Sequence, residues 1–373
     1  MRIIEVPLEE RSYPIYIGHE MWSSLSAVLK QRLTAKKALL ISDENVFPLY
    51  GAKTAAALKE AGFSVSSAVV PAGEESKSLA QAESLYTKAI EARLSRQDVV
   101  VALGGGVIGD LAGFIAATYL RGVSFVQIPT SLLAQVDSSV GGKVAVNHAL
   151  GKNLIGTFYQ PRLVWIDLAV LDTLPRREFL AGAAEVVKYG IISSEPLFQT
   201  LEKRWDDFLA KDLEVLGEVI ATCCNVKAEI VRQDEKEKGI RALLNFGHTL
   251  GHALETATNY TYYLHGEAVL VGMVLAVHLA VSEELIDLQT AGRMLALLKG
   301  GGLKKAPSDL TVEQVLTAMQ QDKKRQADKI VFVLPVQIGS GQTYTTLSEH
   351  EITEIVKKYL RWPESLLQID YII

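Results

Sequence analysis

The 373-residue chain has only two cysteines, and they are adjacent, at Cys223 and Cys224. Adjacent cysteines rarely form a disulfide with each other, and they cannot supply a C-x-x-C metal motif, so a disulfide scaffold and a cysteine-based zinc module are both excluded. So few cysteines in a chain of this length are typical of a protein from a reducing compartment. We therefore expect a cytoplasmic protein.

The chain also has no apolar run long enough to cross a membrane and no excess of basic residues. Its longest apolar run, Ala268–Val281, contains His278 and is too short for a bilayer, so we predict a buried core helix there. The first residues, MRIIEVPLEERSYPIYIG, are mixed and strand-like rather than typical of a signal peptide. The net charge of -5 argues against a general nucleic-acid or membrane-surface binder.

Hydrophobic residues make up 49% and charged residues 22% of the chain, which is typical of a globular protein with a large core. Strand and helix patterns alternate in the N-terminal half. The predicted strands are Ile3–Val6, Tyr13–Ile17, Lys37–Ser42, Val65–Val70, Asp98–Leu103 and Val123–Ile128. The helices predicted among them are Tyr50–Ala61, Leu79–Ala92 and Leu111–Leu120. This alternation predicts a Rossmann-like parallel α/β sheet over residues 1–175.

From Arg176 onward the pattern becomes mainly helical, which predicts a second domain over residues 176–373. The helices predicted there are Arg177–Tyr189, Pro196–Leu209, Leu213–Asp234, Leu250–Ala257, Gly266–Glu284 and Leu288–Lys299. Lys329–Leu334 and Val336–Ile338 are predicted to form a small hairpin.

A glycine-rich turn, Gly104–Gly109, follows a predicted strand, precedes a helix and fits the pattern G-x-G-x-x-G. Such glycines let a pyrophosphate approach the backbone at a helix N-terminus, so the turn predicts a dinucleotide site. The acidic residue usual about 20 residues later is missing, because Pro129 and Thr130 stand there. Asp43 and Asn45 are the alternative candidates for the ribose contact.

The segment Gln135–Phe158 is dense in glycine, lysine and asparagine, and we predict an irregular loop. Lys143 and Lys152 each stand beside glycines, where a flexible backbone can direct an ammonium group toward a phosphate or carboxylate. A solvated surface loop is the alternative interpretation.

Three of the chain's seven histidines, His248, His252 and His265, lie within the stretch Asn245–Glu267. His248 and His252 are four residues apart in a helical pattern, so they share one face and could bind Zn²⁺. The spacing does not decide which two of the three bind metal. Glu185 and Lys188 lie three residues apart on an otherwise apolar helix, and they could be a salt bridge or a carboxylate ligand beside a substrate-binding cation.

Taken together, the motifs resemble the 3-dehydroquinate synthase family, within the sugar-phosphate cyclase superfamily. The resemblance extends from Asp43 to the segment Asp322-Lys323-Lys324. The stretches that carry it are ALGGGVIGDLAGF, YLRGVSFVQIPTSLLAQVDSSVGGK, GKNLIGTFYQP, AAEVVKYG, LNFGHTLGHALE and HGEAV.

The resemblance implies three sets of site residues. The metal ligands would be Glu185, His248 and His265, with Zn²⁺ as the metal and Co²⁺ as a possible substitute. NAD would be bound by Asp43, Asn45, Ala72, Gly73, Glu74, Glu75, Ser76, Lys77, Gly105, Gly106, Val107, Ile108, Gly109, Asp110, Thr130, Ser131, Lys143, Lys152, Val170, Leu171, Asp172 and Thr173. Substrate would be contacted by Arg121, Asp137, Lys143, Lys152, Asn153, Lys188, Lys227, Arg241, Asn245, His252 and Lys323. His252 would then face the substrate phosphate instead of the metal, and Arg121 would come from the neighbouring subunit of a homodimer.

The implied reaction converts 3-deoxy-D-arabino-heptulosonate 7-phosphate to 3-dehydroquinate and phosphate. It proceeds by transient oxidation, β-elimination of phosphate, reduction, ring opening and intramolecular aldol closure. Three alternatives stay open from the sequence. They are another sugar-phosphate cyclase such as 2-deoxy-scyllo-inosose synthase, a metal-dependent polyol dehydrogenase, and a nucleotide-sensing protein without catalysis.

Overall fold

The computed structural model describes residues 1–323, 330–361 and 365–368, with the side chains of residues 321–323 left out. Its internal contacts divide the chain into two compact units. The first consists of Met1–Leu174 and Leu216–Lys236, and the second of Pro175–Val215 and Glu237–Ile373.

The first unit is built on a seven-stranded sheet. Its strands are β1 (Arg2–Val6), β2 (Tyr13–Gly18), β3 (Lys37–Asp43), β4 (Ser64–Val70), β5 (Val99–Gly104), β6 (Ser124–Pro129) and β9 (Leu163–Asp167). The strands β7 (Lys143–His148) and β8 (Gly151–Phe158) form a separate hairpin. The order across the sheet is β1-β2-β9-β6-β5-β3-β4. The β1–β2 pair is antiparallel and every other neighbouring pair is parallel. The predicted parallel α/β sheet is therefore confirmed, although β9 was not predicted because it is a short five-residue strand.

Four helices of the first unit pack with this sheet. They are α1 (Trp22–Arg32), α2 (Ala52–Glu60), α3 (Leu79–Glu91) and α4 (Gly106–Thr118). The helix α1 was not predicted, since only Leu25, Ser26 and Leu29 of it are buried. The prediction that α4 begins at Leu111 is wrong, because the helix begins at Gly106. Its apolar face already includes Ile108, one turn before Leu111 and Ala112, so the helical periodicity starts inside the glycine motif.

The segment predicted to be an irregular loop is instead mostly a β-hairpin. After a short turn at Ala134–Ser138, β7 (Lys143–His148) pairs antiparallel with β8 (Gly151–Phe158) as a separate two-stranded sheet. The loop prediction failed because β8 has no fully buried residue, so it lacks the alternation of a half-buried strand. Its backbone is satisfied by pairing with β7, whose Val144, Ala145 and Val146 are buried.

The second unit is mainly helical. Its helices are α5 (Arg176–Ile192), α6 (Glu195–Leu209), α8 (His248–Ala257), α9 (His265–Ser282), α10 (Leu288–Gly300), α11 (Val312–Lys323) and α12 (Glu349–Arg361), and α7 (Leu213–Gln233) begins in it. A hairpin of β10 (Phe332–Gln337) and β11 (Ser340–Tyr344) completes it. The second strand of this hairpin starts at Ser340, later than predicted. Part of the predicted first strand, residue 329, lies outside the described residues.

Most of α7 groups with the first unit, whereas the sequence places the whole of it in a domain over 176–373. Its side chains explain the grouping. Cys224 Sγ donates to the carbonyl of Gln135 at 3.3 Å, and Lys227 Nζ lies 2.7 Å from Asp137 Oδ1. A helical period is local, so it does not reveal which core a helix packs against.

The helix α9 is long and apolar enough to cross a membrane by length and composition, but it is buried along most of its length within the second unit. This confirms the buried core helix predicted for Ala268–Val281. His278 interrupts the apolar run without an unsatisfied polar group, because its Nε2 donates to the carbonyl of Leu366 at 2.7 Å.

Candidate dinucleotide and metal sites

Apart from Lys143 and Lys152, which lie on the β7–β8 hairpin, the residues predicted to bind NAD follow the carboxyl ends of five neighbouring strands of the first unit. In sheet order these segments are residues 170–173 after β9, 130–131 after β6, 105–110 after β5, 43–45 at the end of β3 and 72–77 after β4. The strands β3 and β5 are neighbours in the sheet. The strand that follows β3 in the chain, β4, lies on one side of this pair, and the strand that follows β5, β6, lies on the other side. Such a reversal of strand order opens a crevice outside the carboxyl ends of the strands, which is the usual ligand position in this kind of sheet.

The glycine turn stands at this reversal. Gly105 precedes the first turn of α4, whose backbone N–H groups form an anion-binding end. The available space is narrow: a Cβ atom at Gly106 would lie 3.1 Å from Ser138 Oγ, and one at Gly105 would lie 3.4 Å from Ser131 Oγ. Glycine at these positions keeps the backbone accessible to a ligand.

The acidic residue that is missing downstream of the glycine turn has a counterpart on β3. Ser42 is in register with Leu103 of β5, so Asp43 lies beside the turn. Its Oδ1 accepts from the backbone N–H groups of Asn45 at 2.9 Å and Val46 at 3.0 Å. These bonds fix the Asp43 carboxylate at the strand end, where the sequence places the ribose contact.

Lys77 is the centre of a polar network beside the turn. Its Nζ lies 2.7 Å from Asp110 Oδ2 and 3.5 Å from Glu74 Oε1. Burial alone lowers the pKa of Lys77, but the two carboxylates outweigh it and the net pKa is raised. Asn147 donates its side-chain amide to Glu74 Oε1 at 2.7 Å. Sequence reasoning missed Asn147, because its position depends on the pairing of β7 with the loop before α3.

Of the substrate-contact candidates in the first unit, Asp137 and Lys227 form a pair. Lys227 is 5% exposed, and its Nζ donates to both the carbonyl and the carboxylate of Asp137, at 2.6 and 2.7 Å. Lys143 and Lys152, by contrast, lie at opposite ends of the β7–β8 hairpin, since Lys143 pairs with Phe158 and Lys152 adjoins the turn. Asn153 has a φ of +56° and its N–H donates to Asn147 Oδ1 at 2.9 Å.

Arg121 stands in a strained turn on the surface of the first unit. Leu120, Arg121 and Gly122 have φ values of +50°, +67° and +122°, and for the two non-glycine residues such values are unfavourable. Strain of this kind persists only where the surrounding structure holds it, and it is concentrated at functional sites. The turn holds the Arg121 guanidinium exposed.

In the second unit, helices α5, α8 and α9 bring together the three predicted metal ligands. Glu185 Oε1 of α5 lies 3.7 Å from His248 Nε2 and 3.8 Å from His265 Nε2. His248 and His265 are the first residues of α8 and α9, and their ring centroids are 5.2 Å apart. The pair could not be found from helical spacing, because the two histidines belong to different helices.

In both His248 and His265, the Nδ1 atom faces a hydrogen-bond acceptor. His248 Nδ1 lies 3.0 Å from the carbonyl oxygen of Phe246, and His265 Nδ1 lies 3.0 Å from Glu255 Oε2. An acceptor at Nδ1 selects the tautomer that carries its proton there, so the lone pair is left on Nε2. Both Nε2 lone pairs are therefore on the side of Glu185.

The chemistry of Glu185 fits a bound cation. The side chain is fully buried, and its Oε1 has no hydrogen-bond partner within the described part of the chain. Its Oε2 forms an ion pair with Lys188, which is 1% exposed. The salt bridge considered from the sequence is therefore present, while the role of Glu185 as a metal ligand stays a prediction: one oxygen meets the lysine and the other faces the histidines. A buried carboxylate oxygen without a donor is costly unless a metal takes that place.

The protonation of His248 suits metal binding as well. Burial lowers the pKa of His248 well below its usual 6.5, and the nearby Lys188 charge and the other two histidines lower it further. The neutral imidazole is the form that binds metals.

His252 belongs to the same cluster. His248, His252 and His265 each place one ring nitrogen within 4.8 Å of a ring nitrogen of the other two. His252 is the exposed member, and its ring meets that of His248 edge-on at a centroid distance of 5.3 Å. The structure therefore gathers all three histidines, and the assignment of His252 to substrate phosphate stays a prediction.

A polar clamp holds the start of α9, where His265 stands. Arg177 donates through Nε and Nη2 to the two carboxylate oxygens of Glu267, at 2.7 and 2.8 Å. Glu267 Oε2 accepts from the backbone N–H of Leu264 at 2.9 Å, and Lys304 Nζ lies 3.2 Å from the same oxygen. Sequence reasoning missed these residues, although Glu267, three residues after Leu264, has the spacing of a helix capping box.

Three further residues of the second unit were predicted to contact substrate. Arg241 and Asn245 come before α8 in the chain, and Lys323 comes after it, in α11. Arg241 is 1% exposed and stands with Asn245 in a short 3₁₀ helix, Ile240–Asn245. The Asn245 amide donates to Glu237 Oε1 at 3.4 Å. Lys323 is the last residue of α11, and its side chain lies outside the described residues.

With a glycine-turn sheet and a helical unit that carries a histidine–glutamate cluster, the chain has the fold of solved sugar-phosphate cyclases. A solved 2-deoxy-scyllo-inosose synthase is 27% identical and covers 96% of this chain and 100% of its own, with a TM-score of 0.85. The 2-epi-5-epi-valiolone synthase from Streptomyces hygroscopicus subsp. jinggangensis is 26% identical, with a TM-score of 0.86, and covers 96% of this chain and 99% of its own.

Within this class, two family models match in succession. The model "3-dehydroquinate synthase N-terminal" matches residues 67–181 and "3-dehydroquinate synthase C-terminal" matches residues 182–325. The 3-dehydroquinate synthase of Desulforamulus reducens is 49% identical over 96% of this chain and 100% of its own length. The chain belongs to the 3-dehydroquinate synthase family.

Proposed function

We propose that this chain is an enzyme that converts 3-deoxy-D-arabino-heptulosonate 7-phosphate to 3-dehydroquinate and phosphate, in the shikimate pathway of aromatic amino acid biosynthesis. Its family membership supports the reaction. The observation that carries the proposal is the buried Glu185 carboxylate, which faces the Nε2 atoms of both His248 and His265. A catalytically inactive sensor would need no such cluster.

We assign the NAD site to the first unit and the metal site to the second. The two solved cyclases were determined with NAD⁺ and Co²⁺, and with NAD⁺ and Zn²⁺. When bound, NAD⁺ takes and returns a hydride at substrate C5, and the metal ion stabilises negative charge on the C5 oxygen. In this proposal the α4 N-terminus and Asp43 position the dinucleotide, and Glu185, His248 and His265 hold the cation.

The substrate carries a phosphate and a carboxylate, which accounts for the many basic residues among the proposed substrate contacts of a net-acidic protein. In this proposal Lys152, Asn153 and His252 bind the phosphate, together with Arg121 of the partner subunit in a homodimer. Lys227 and Arg241, both buried, bind the carboxylate, where charge-assisted hydrogen bonds are strong. The remaining substrate contacts are Asp137, Lys143, Lys188, Asn245 and Lys323.

We further propose that the substrate's own phosphate is the base for the elimination. No single protein base stands out in the sequence, and the carboxylates Glu185, Asp137 and Asp110 each form an ion pair with a lysine in the structure. A variant of one of these residues that still oxidised C5 but released no phosphate would contradict this assignment.

The deciding experiment is to measure phosphate release from 3-deoxy-D-arabino-heptulosonate 7-phosphate. The reaction is run with and without NAD⁺, and with and without a chelator, while NADH absorbance is followed in the same cuvette. We expect release that requires NAD⁺ and metal without accumulation of NADH. Glu354→Gln, which changes an exposed ion pair with Lys357, should behave as the unmodified enzyme, whereas His265→Ala should be inactive.

Other outcomes would identify the alternatives. Steady accumulation of NADH would indicate a polyol dehydrogenase. Release of phosphate from a hexose 6-phosphate without a carboxylate, but not from the heptulosonate, would indicate a cyclase of the 2-deoxy-scyllo-inosose synthase type. We also propose that the NAD-binding residues lie within 1–175 and the metal-binding residues within 176–373, in a cytoplasmic protein.

A further inference from the structure

Glu255 is a buried carboxylate that belongs neither to the proposed metal ligands nor to the proposed substrate contacts. It is 3% exposed and stands on α8, seven residues after His248, so two helical turns place both on one face. Its Oε2 lies 3.0 Å from His265 Nδ1, and the Nε2 of the same ring lies 3.8 Å from Glu185 Oε1. A buried carboxylate needs a partner, and this one has the outer nitrogen of a predicted metal ligand.

The backbone of Glu255 supports the same arrangement. Its carbonyl oxygen accepts from the N–H of Tyr260 at 2.8 Å and from the hydroxyl of Thr258 at 3.2 Å. These bonds close the end of α8 and start the turn that leads to His265. Asn259 and Tyr260 in that turn have φ values of +51° and +58°, so the chain takes an unfavourable course to bring the start of α9 back to Glu255.

We propose that Glu255 is a positioning residue for the metal: it holds His265 in the Nδ1–H tautomer and increases electron donation from Nε2. The inference rests on the metal site of the proposed function and goes beyond it, because Glu255 is not a ligand. His248 and His265 would then differ in the acceptor that binds their Nδ1–H group. His248 has a neutral carbonyl at Nδ1, from Phe246, whereas His265 has a charged carboxylate. A carboxylate in this position commonly improves metal affinity about 10- to 100-fold.

Two substitutions separate charge from hydrogen bonding. Glu255→Gln keeps an oxygen that can accept from Nδ1 and removes the charge, and Glu255→Ala removes both. Zn²⁺ affinity is measured on the full chain, first stripped of metal, by competition with a fluorescent chelator, and Co²⁺ absorption reports the ligand geometry. We expect Zn²⁺ to bind about 10-fold more weakly to Glu255→Gln and about 100-fold more weakly to Glu255→Ala.

The control is Glu202→Gln, which removes a carboxylate of the second unit that pairs with Arg293. Its Zn²⁺ affinity should stay within twofold of the unmodified protein. A Glu255→Gln affinity within the same twofold would overturn the inference while leaving the proposed function intact. Failure of the unmodified protein to bind Zn²⁺ would overturn both.

A measurement on the unmodified protein keeps the inference testable if the variants do not fold. In the zinc-loaded protein, ¹⁵N shifts of the histidine rings distinguish the two tautomers. We expect His265 to carry its proton on Nδ1 and to bind zinc through Nε2. Zinc on Nδ1 would refute the proposed role of Glu255, because that nitrogen could not then donate to the carboxylate.

Discussion

The buried pair of Glu185 and Lys188 leads to the sharpest prediction. Both side chains are at most 1% exposed, and they are three residues apart on α5. Glu185→Gln removes the negative charge of this buried ion pair. Breaking a buried ion pair in this way typically costs about 3–5 kcal/mol. We expect the free energy of unfolding of the metal-free protein to fall by about that amount.

The same substitution should also abolish stabilisation by metal. A ligand at 100 times its dissociation constant stabilises a folded protein by about 2.7 kcal/mol. The unmodified protein should gain this amount when Zn²⁺ is added, and Glu185→Gln should gain far less, because one of the three predicted ligands is gone.

The assay is urea unfolding followed by circular dichroism, with and without Zn²⁺. Glu354→Gln is a matched control, since Glu354 and Lys357 are also three residues apart on one helix but are 46% and 43% exposed. An exposed pair contributes at most about 1 kcal/mol. The reasoning is refuted if the two substitutions cost the same, or if Glu185→Gln retains the full stabilisation by Zn²⁺.

Three further predictions concern other parts of the structure. Gly106→Ala should weaken NAD⁺ binding about tenfold in a fluorescence titration without changing Zn²⁺ binding, because the new Cβ stands 3.1 Å from Ser138 Oγ where a pyrophosphate would approach. Burial raises the pKa of Cys224 to about 12, so its thiol should react with a disulfide reagent at pH 8 only in the unfolded protein. Burial also lowers the pKa of His278 below 6.5, because its effect is larger than that of the hydrogen bond to the Leu366 carbonyl, which raises the pKa. Native stability should therefore decrease as pH falls below 6.5, and urea midpoints at pH 7.5 and 5.5 should differ less in His278→Gln.

Local patterns were enough to predict most of the regular structure. Buried strands such as Lys37–Asp43 and helices such as Leu79–Glu91 have a hydrophobic period that does not depend on distant residues. The elements that were missed include α1, α11, α12 and β9; of these, β9 has only five residues and α1 has only three buried positions. The β7–β8 hairpin was misread for a related reason: its stability comes from pairing, and β8 has no fully buried side chain to reveal it.

The sequence by itself determined the family and the types of residues at the site. The glycine turn, the GHTLGH segment and the AAEVVKYG segment are contiguous, and their chemistry can be read without a fold. Helical spacing alone would have paired His248 with His252, since it relates only residues of the same helix.

Tertiary structure decided which of these residues meet. Three different helices must pack before Glu185 Oε1 can face both His248 and His265, and only then does Glu255 reach the outer nitrogen of His265. Likewise, Asp43 lies beside the glycine turn only because β3 and β5 are neighbours in the sheet. Contacts between distant segments follow from the packing of whole elements, and no local pattern in the chain specifies them.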